Sequence, residues 1–343
     1  MTQLSLTKSL LSSFIIILFT GCGTTINLTH YTPLSIKKAK NIPSTKKMLN
    51  NFSPKVIVMN IDNNGIKIAK NAKAGATIAA KINTILASSK NVRIAKRVTE
   101  SSYTQMLLKE IEAAQLSKEL NTDVGQADNI ITGQLSTASY NHSFTEGYYY
   151  VVKTKKGNIR YYQPPIMSYQ ACIVGNIKVF ALPDLQEEAS FEYDECSNRS
   201  TEVRSAYNVK SRDDSLVRKA ALESADTVAY DLKNFFSKKG YIYEARVDGS
   251  SKIFKTTLGS SNGAKEGQEV IIYAVEDNTN ILTSITNKEI VQIGTGIISN
   301  HITPTSSWII IDQIQDGKII HAGDYIKIHY KESFLSKAKK FMR

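Results

Sequence analysis

Lys55-Val-Ile-Val-Met-Asn-Ile61 is a compact apolar run that stops at Asp62-Asn-Asn-Gly65, and it reads as a buried strand closed by a turn. Residues Ala74 to Ala87 follow, with Ile78, Ile82, Ile85 and Leu86 on one helical face, and Val92-Arg-Ile-Ala95 then returns to strand. That is a β-α-β unit. Thr104 to Leu120 repeats the helical period through Leu107, Leu108, Ile111 and Leu116, and Ala127-Asp-Asn-Ile-Ile-Thr-Gly-Gln-Leu135 is strand again. Such alternation predicts an α/β or α+β fold, with helices packed on a mixed sheet.

Working outward, a tyrosine-rich insertion spans 140–169. Two strands, Ile173 to Leu182 and Glu188 to Cys196, then turn at Pro183-Asp184 as a hairpin. Leu216 to Phe236 carries Val217, Ala221, Val228, Leu232 and Phe235 on one side, which predicts an amphipathic helix ended by Gly240. The first domain is thus 54–240. Beyond it, 241–331 is all strand and turn, punctuated by Asn262-Gly263, Gly267, Gly294 and Gly323-Asp324, and predicts a small β-barrel or sandwich. Residues 332–343 form a basic tail.

Upstream, Lys8 precedes a run of about ten mostly apolar residues, Leu10 to Phe19, against the ~20 that a spanning helix needs. The run ends in Phe19-Thr20-Gly21-Cys22, which resembles the lipobox of bacterial lipoproteins. The resemblance implies that 1–21 is a cleaved signal peptide and that Cys22 becomes the lipidated N-terminus. Gly23 follows where an Asp would favour the inner membrane, so the expected location is the periplasmic face of the outer membrane. Residues 22–53, polar and carrying Pro33 and Pro43, read as a linker.

The chain has 343 residues, 42% of them hydrophobic, enough to bury a core in each of two domains. A formal charge of +12 is spread along the sequence rather than clustered, so nucleic acid is not an expected partner. An oxidising compartment leaves Cys172 and Cys196 available to pair. They stand symmetrically about Asp184, so a regular hairpin turning there sets them opposite one another.

Val56-Ile-Val-Met-Asn-Ile-Asp62, Ala74-Gly-Ala-Thr77, Val92-Arg-Ile-Ala95, Gln126-Ala-Asp-Asn-Ile-Ile-Thr-Gly133 and Ile177-Lys-Val-Phe-Ala-Leu-Pro-Asp184 resemble, in order, landmarks of the CsgG family. The C-terminal stretches Leu258 to Val270 and His321-Ala-Gly-Asp-Tyr325 resemble the β domain of the flagellar assembly protein FlgT. The resemblance implies a homo-oligomeric ring working with flagellar or secretion components. It allows two mechanisms, a scaffold for an envelope machine or a pore exporting unfolded polypeptide. The segment Ser197 to Asp214 carries Arg199, Glu202, Arg204, Lys210, Arg212, Asp213 and Asp214, too many charges to face lipid, which favours the scaffold. In the insertion, Tyr148, Tyr149, Tyr150, Tyr161 and Tyr162 flank a basic tip and are either a surface hairpin or a contact face. A third reading is a monomeric module binding glycan or anionic lipid, with Lys337 to Lys340 in support.

No catalytic constellation is evident. His30, His142, His301, His321 and His329 form no pair at metal-ligand spacing. Asn60 to Gly65 copies the start of a calcium loop, but Asn71 stands where the closing Glu belongs. The expectation is a protein that is not an enzyme and that uses neither cofactor nor metal.

Overall fold

The computed structural model describes residues 24–42, 53–95, 127–204 and 212–332, together with Glu112 and Gln115. The signal peptide, Cys22, all but Glu112 and Gln115 of the expected helix at Thr104 to Leu120, and the basic tail from Ser333 onward lie outside the described residues. Two compact units divide the chain: one joins the N-terminal residues to Lys238–His329, and the other holds Phe52–Ser237. The N-terminal residues contribute one short strand, β1 (Thr32–Leu34), to the first of these.

The other unit starts at β2 (Lys55–Val58), followed by α1 (Lys67–Asn71), α2 (Ala74–Ser89) and β3 (Arg93–Ile94). Next come β4 (Asn129–Thr145), β5 (Tyr148–Thr154), β6 (Gly157–Gln163), β7 (Ile166–Ala181) and β8 (Gln186–Glu202). Helices α3 (Asp214–Thr227) and α4 (Ala229–Phe235) complete it. Five strands form one sheet in the order β3-β2-β4-β7-β8, parallel from β3 to β4 and antiparallel beyond.

Local chemistry explains these elements. Strand β2 buries Val56 and Ile57 on opposite faces, as a strand covered on both sides must. Helix α2 starts hard against the end of that strand: a Cβ at Gly75 would lie 1.9 Å from the Ile61 carbonyl oxygen, so only glycine fits. The Gly75 N–H donates to Asn63 Oδ1 at 3.1 Å, giving one orphan donor of the helix a partner. Asp213 caps α3 by accepting from the N–H groups of Ser215 and Leu216. Ile78, Ile82 and Leu86 of α2 and Val217, Ala221 and Ala225 of α3 then share a buried cluster with Ile173, Ile177 and Val179 of β7.

The α/β or α+β, CsgG-like arrangement expected from the sequence is corrected here. Strand dominates the described residues, because β4, β7 and β8 run for 17, 16 and 17 residues in continuous antiparallel pairing. The stretch 140–169 is not a separate insertion. Tyr140 to Thr145 prolongs β4, Ile166 to Tyr169 opens β7, and only β5 and β6 between them form a distinct two-stranded sheet. The expected single helix from Leu216 to Phe236 divides at Val228 into α3 and α4, and Gly240 lies in a strand rather than ending it. Within α3, the Thr227 hydroxyl bonds back to the Glu223 carbonyl at 3.2 Å, a pattern that bends helices.

The remaining strands are β9 (Lys239–Asp248), β10 (Ser251–Thr256), β11 (Glu269–Thr279), β12 (Thr286–Ile302), β13 (Ser307–Ile314) and β14 (Tyr325–Ile328). They close as a six-stranded barrel in the order β9-β10-β13-β12-β11-β14, with β14 returning to pair with β9 at Lys239 to Tyr241. Closure removes the open edges that an isolated sheet presents. Phe254, Val270, Ile272, Ile309, Ile326 and Ile328 are buried in this unit.

The stretch read as a linker packs on the barrel. Strand β1 pairs with β9 at Ala245 to Val247, while Ile26 buries itself beside Ile253 and Trp308.

Candidate functional site

Outside the barrel, the most exposed aromatic surface is the β5–β6 hairpin. Its strands pair in register from Tyr148 opposite Gln163 to Thr154 opposite Gly157, leaving Lys155-Lys156 as a two-residue turn. Gly157 adopts φ +122°, a conformation that side chains disfavour, and the Thr154 hydroxyl donates to its carbonyl at 2.8 Å. Gly147 on one side and Pro164-Pro165 on the other interrupt the ladder at the base, since proline has no N–H to give. The hairpin is therefore an arm set off from the β4–β7 ladder.

Strand alternation sorts its side chains. Tyr148, Tyr150 and Val152 share a face with Ile159 and Tyr161, and the opposite face carries Tyr149, Val151 and Lys153 with Tyr162 and Arg160. The first face is thus aromatic and aliphatic between Gln163 at its base and Thr154 at its tip. Tyr150 and Tyr161 stack at 5.6 Å between ring centroids, and Tyr149 and Tyr162 approach to 4.9 Å. The Arg160 guanidinium lies 4.1 Å from the Tyr149 centroid, in cation–π contact. From Tyr148 to Val152, and at Ile159, Tyr161 and Tyr162, exposure is 40% to 60%, so these rings stabilise one another yet remain open to a partner. Lys153, Lys155, Lys156 and Arg160 put four cations on the arm, and no carboxylate occurs between Gly147 and Gln163.

Midway along the ladder that carries the arm, Cys172 of β7 lies opposite Cys196 of β8, and a disulfide joins them. Strand β8 is the last of its sheet and presents exposed Glu192 and Asp194. Arg199 forms an ion pair with the buried Asp213 and lies over the Tyr169 ring. That pair ties the end of β8 to the start of α3, so part of the charged Ser197 to Asp214 segment is structural. Residues 205–211 of it lie outside the described residues.

A concavity of about 360 Å³ opens on the same sheet, lined by Ile130, Thr132, Gln134, Asn176, Lys178 and Phe180 among others. Lys178 is held by Glu187 at 2.7 Å. Its lining offers two amides, the Thr132 hydroxyl, the Asp62 carboxylate and one paired cation. Among the described residues no group of three His, Cys, Asp or Glu side chains is placed to hold a metal ion. The calcium-like stretch is a turn: Asp62 Oδ1 accepts from the Asn64 N–H, and Gly65 takes φ +72°. His301 Nε2 lies 3.0 Å from the Ile26 carbonyl, and His321 lies beside Asp324, so both serve local structure.

Two features escaped the sequence reading. One is the N-terminal strap, signalled only by Ile26 and Leu28 in a polar stretch. The other is the tip of the β11–β12 hairpin, where Ile281 and Leu282 are each 94% exposed.

No protein-family model matches this chain, and no curated protein matches it. Among solved structures, a hypothetical protein from Chlamydia trachomatis is similar at 11% identity with a TM-score of 0.25, covering 54% of this chain and 98% of its own. A candidate lipoprotein from Caulobacter crescentus CB15 is similar at 9% identity with a TM-score of 0.21, covering 45% and 97%. The PelC dodecamer from Paraburkholderia phytofirmans is similar at 12% identity with a TM-score of 0.22, covering 58% and 94%. Likenesses at this level carry no functional inference.

Proposed function

We propose that this protein is a lipoprotein of the periplasmic face of the outer membrane, anchored through Cys22, that serves an envelope machine as a self-assembling scaffold. The anchor rests on the apolar run from Leu10 to Phe19 and the lipobox-like Thr20-Gly21-Cys22. Among the described residues no helix is long and apolar enough to cross a membrane. The assembly rests on one observation, the exposed aromatic arm with four cations at β5–β6.

Its occupant is a second copy of this chain. Exposed aromatics beside arginine have the composition of interface cores. Strand β8 supplies the complement, an edge with exposed carboxylates at Glu192 and Asp194. An arm that meets a different surface on its neighbour makes a heterologous contact, and such contacts close into rings when the rotation permits. The pore alternative is less well supported, because β5 and β6 have seven residues each, against the ~9–11 of a membrane-spanning strand.

Mass photometry of the detergent-purified, acylated protein tests this reading. Closed oligomers are expected, and a triple Lys153→Glu, Lys155→Glu, Lys156→Glu variant should be monomeric. Adding Glu192→Lys and Asp194→Lys should restore assembly. A monomeric native protein overturns the scaffold.

A further inference from the structure

Thr24 and Ile26 are tied to the barrel by their backbones and side chains. The Thr24 carbonyl accepts from the Asn300 N–H at 3.1 Å, and its hydroxyl donates to Glu266 at 2.8 Å. Two residues on, the Ile26 N–H donates to Asn300 Oδ1 at 2.9 Å and its carbonyl meets His301 Nε2 at 3.0 Å. The strap then crosses the barrel, burying Ile26 against Ile253 and Trp308. At the far end the Tyr31 hydroxyl reaches Ser251, and β1 pairs with β9. A chain fixed at both ends and packed between them is part of the barrel.

This fixes a distance. Thr24 is two residues from Cys22, and an extended chain covers at most about 7 Å in that span. We infer that the barrel end formed by 257–268 and 299–306 rests against the lipid headgroups of the anchoring membrane. This inference rests on the acylation of Cys22 proposed above. The chemistry of that end fits headgroups rather than hydrocarbon: Ser260, Ser261, Lys265 and Glu266 are exposed, and none of the exposed large apolar side chains of the described residues falls in either loop. The hairpin turn at Gly249-Ser250 and the turn at Asp316-Gly317 belong to the opposite end, away from the bilayer.

The test uses full-length acylated protein in liposomes. Both remaining cysteines are in the disulfide, so an added cysteine labels selectively with bimane. A label at Lys265→Cys should be quenched about threefold more by headgroup-nitroxide lipid than one at Asp316→Cys, and neither should respond to mid-chain nitroxide, given a headgroup layer several ångströms deep. Ten Gly/Ser residues inserted between Gly23 and Thr24 give a leash of about 18 Å and should erase the difference while acylation persists. Equal quenching at both sites, in protein whose mass carries the acyl chains, overturns the inference. Absence of the acyl mass instead overturns the anchor itself, and the inference with it.

Discussion

Tyr193 lies directly across the β7–β8 ladder from Gly175, and its hydroxyl occupies the space that a side chain at residue 175 would need. A Cβ there would fall 2.5 Å from the tyrosine hydroxyl and 2.4 Å from the Gln134 carbonyl. The ring thus covers a glycine, a pairing that stabilises twisted sheets.

Gly175→Ala is therefore expected to destabilise its unit by about 2 kcal/mol through overpacking. The Tyr193 hydroxyl is buried without a hydrogen-bond partner, and burial alone pushes its pKa far above the ordinary tyrosine value. Tyr193→Phe should be neutral or stabilising by up to about 1 kcal/mol, since an unpaired buried hydroxyl carries a desolvation cost. In the Gly175→Ala background its benefit should grow. Urea midpoints of the four variants measure this, and simple additivity would refute the contact.

The Cys172–Cys196 bridge closes a loop of sequence separation 24. Cys172→Ser with Cys196→Ser is expected to lower stability by about 3 kcal/mol, chiefly by freeing the unfolded chain. Native protein, denatured without reductant, should show no free thiol at these positions, and two titratable thiols there would contradict the bridge.

Trp308 is the one tryptophan of the chain, and it reports on the strap. It is 4% exposed, packed by Ile26, with Arg246 and Lys255 over its ring. Ile26→Ala should cost about 2 kcal/mol as a buried truncation. The fluorescence of Trp308 should shift to the red as the strap loosens. An unchanged spectrum and unchanged melting would mean that the strap contributes little to the barrel.

Asp213 links helix capping to pH. Burial pushes its carboxyl up, but the Ser215 and Leu216 hydrogen bonds and the Arg199 guanidinium outweigh burial and hold it below the usual carboxylate range. A depressed folded pKa means that the ionised form stabilises the fold. That contribution is complete above the unfolded value of about 3.9 and is lost as pH falls through the lower folded value. Asp213→Asn keeps a capping oxygen but should flatten this acid limb, whereas Asp213→Ala should also cost about 1 kcal/mol at neutral pH. Chemical denaturation from pH 7 down to acid checks both, and a native-like acid limb in Asp213→Asn would assign the pH dependence elsewhere.

What the sequence determined by itself was local. The compact apolar run from Val56 to Met59, the helical period from Ala74 onward, and the placing of Cys172 and Cys196 about Asp184 all depend on neighbours along the chain or on a single hairpin register. Only the tertiary structure decided what those pieces build. Tyr140 to Thr145 and Ile166 to Tyr169 look like parts of an insertion, because their apolar alternation is broken by tyrosine, serine and polar residues. Sixteen-residue pairing of β4 with β7 makes them one ladder, and the chain becomes mostly β. The strap was equally hidden: Ile26 meets Asn300 across a separation of 274 residues, and His301 across 275. Local propensity holds no record of such a partner, since the stabilisation comes from burying Ile26 on a surface that exists only once β10 and β13 have paired.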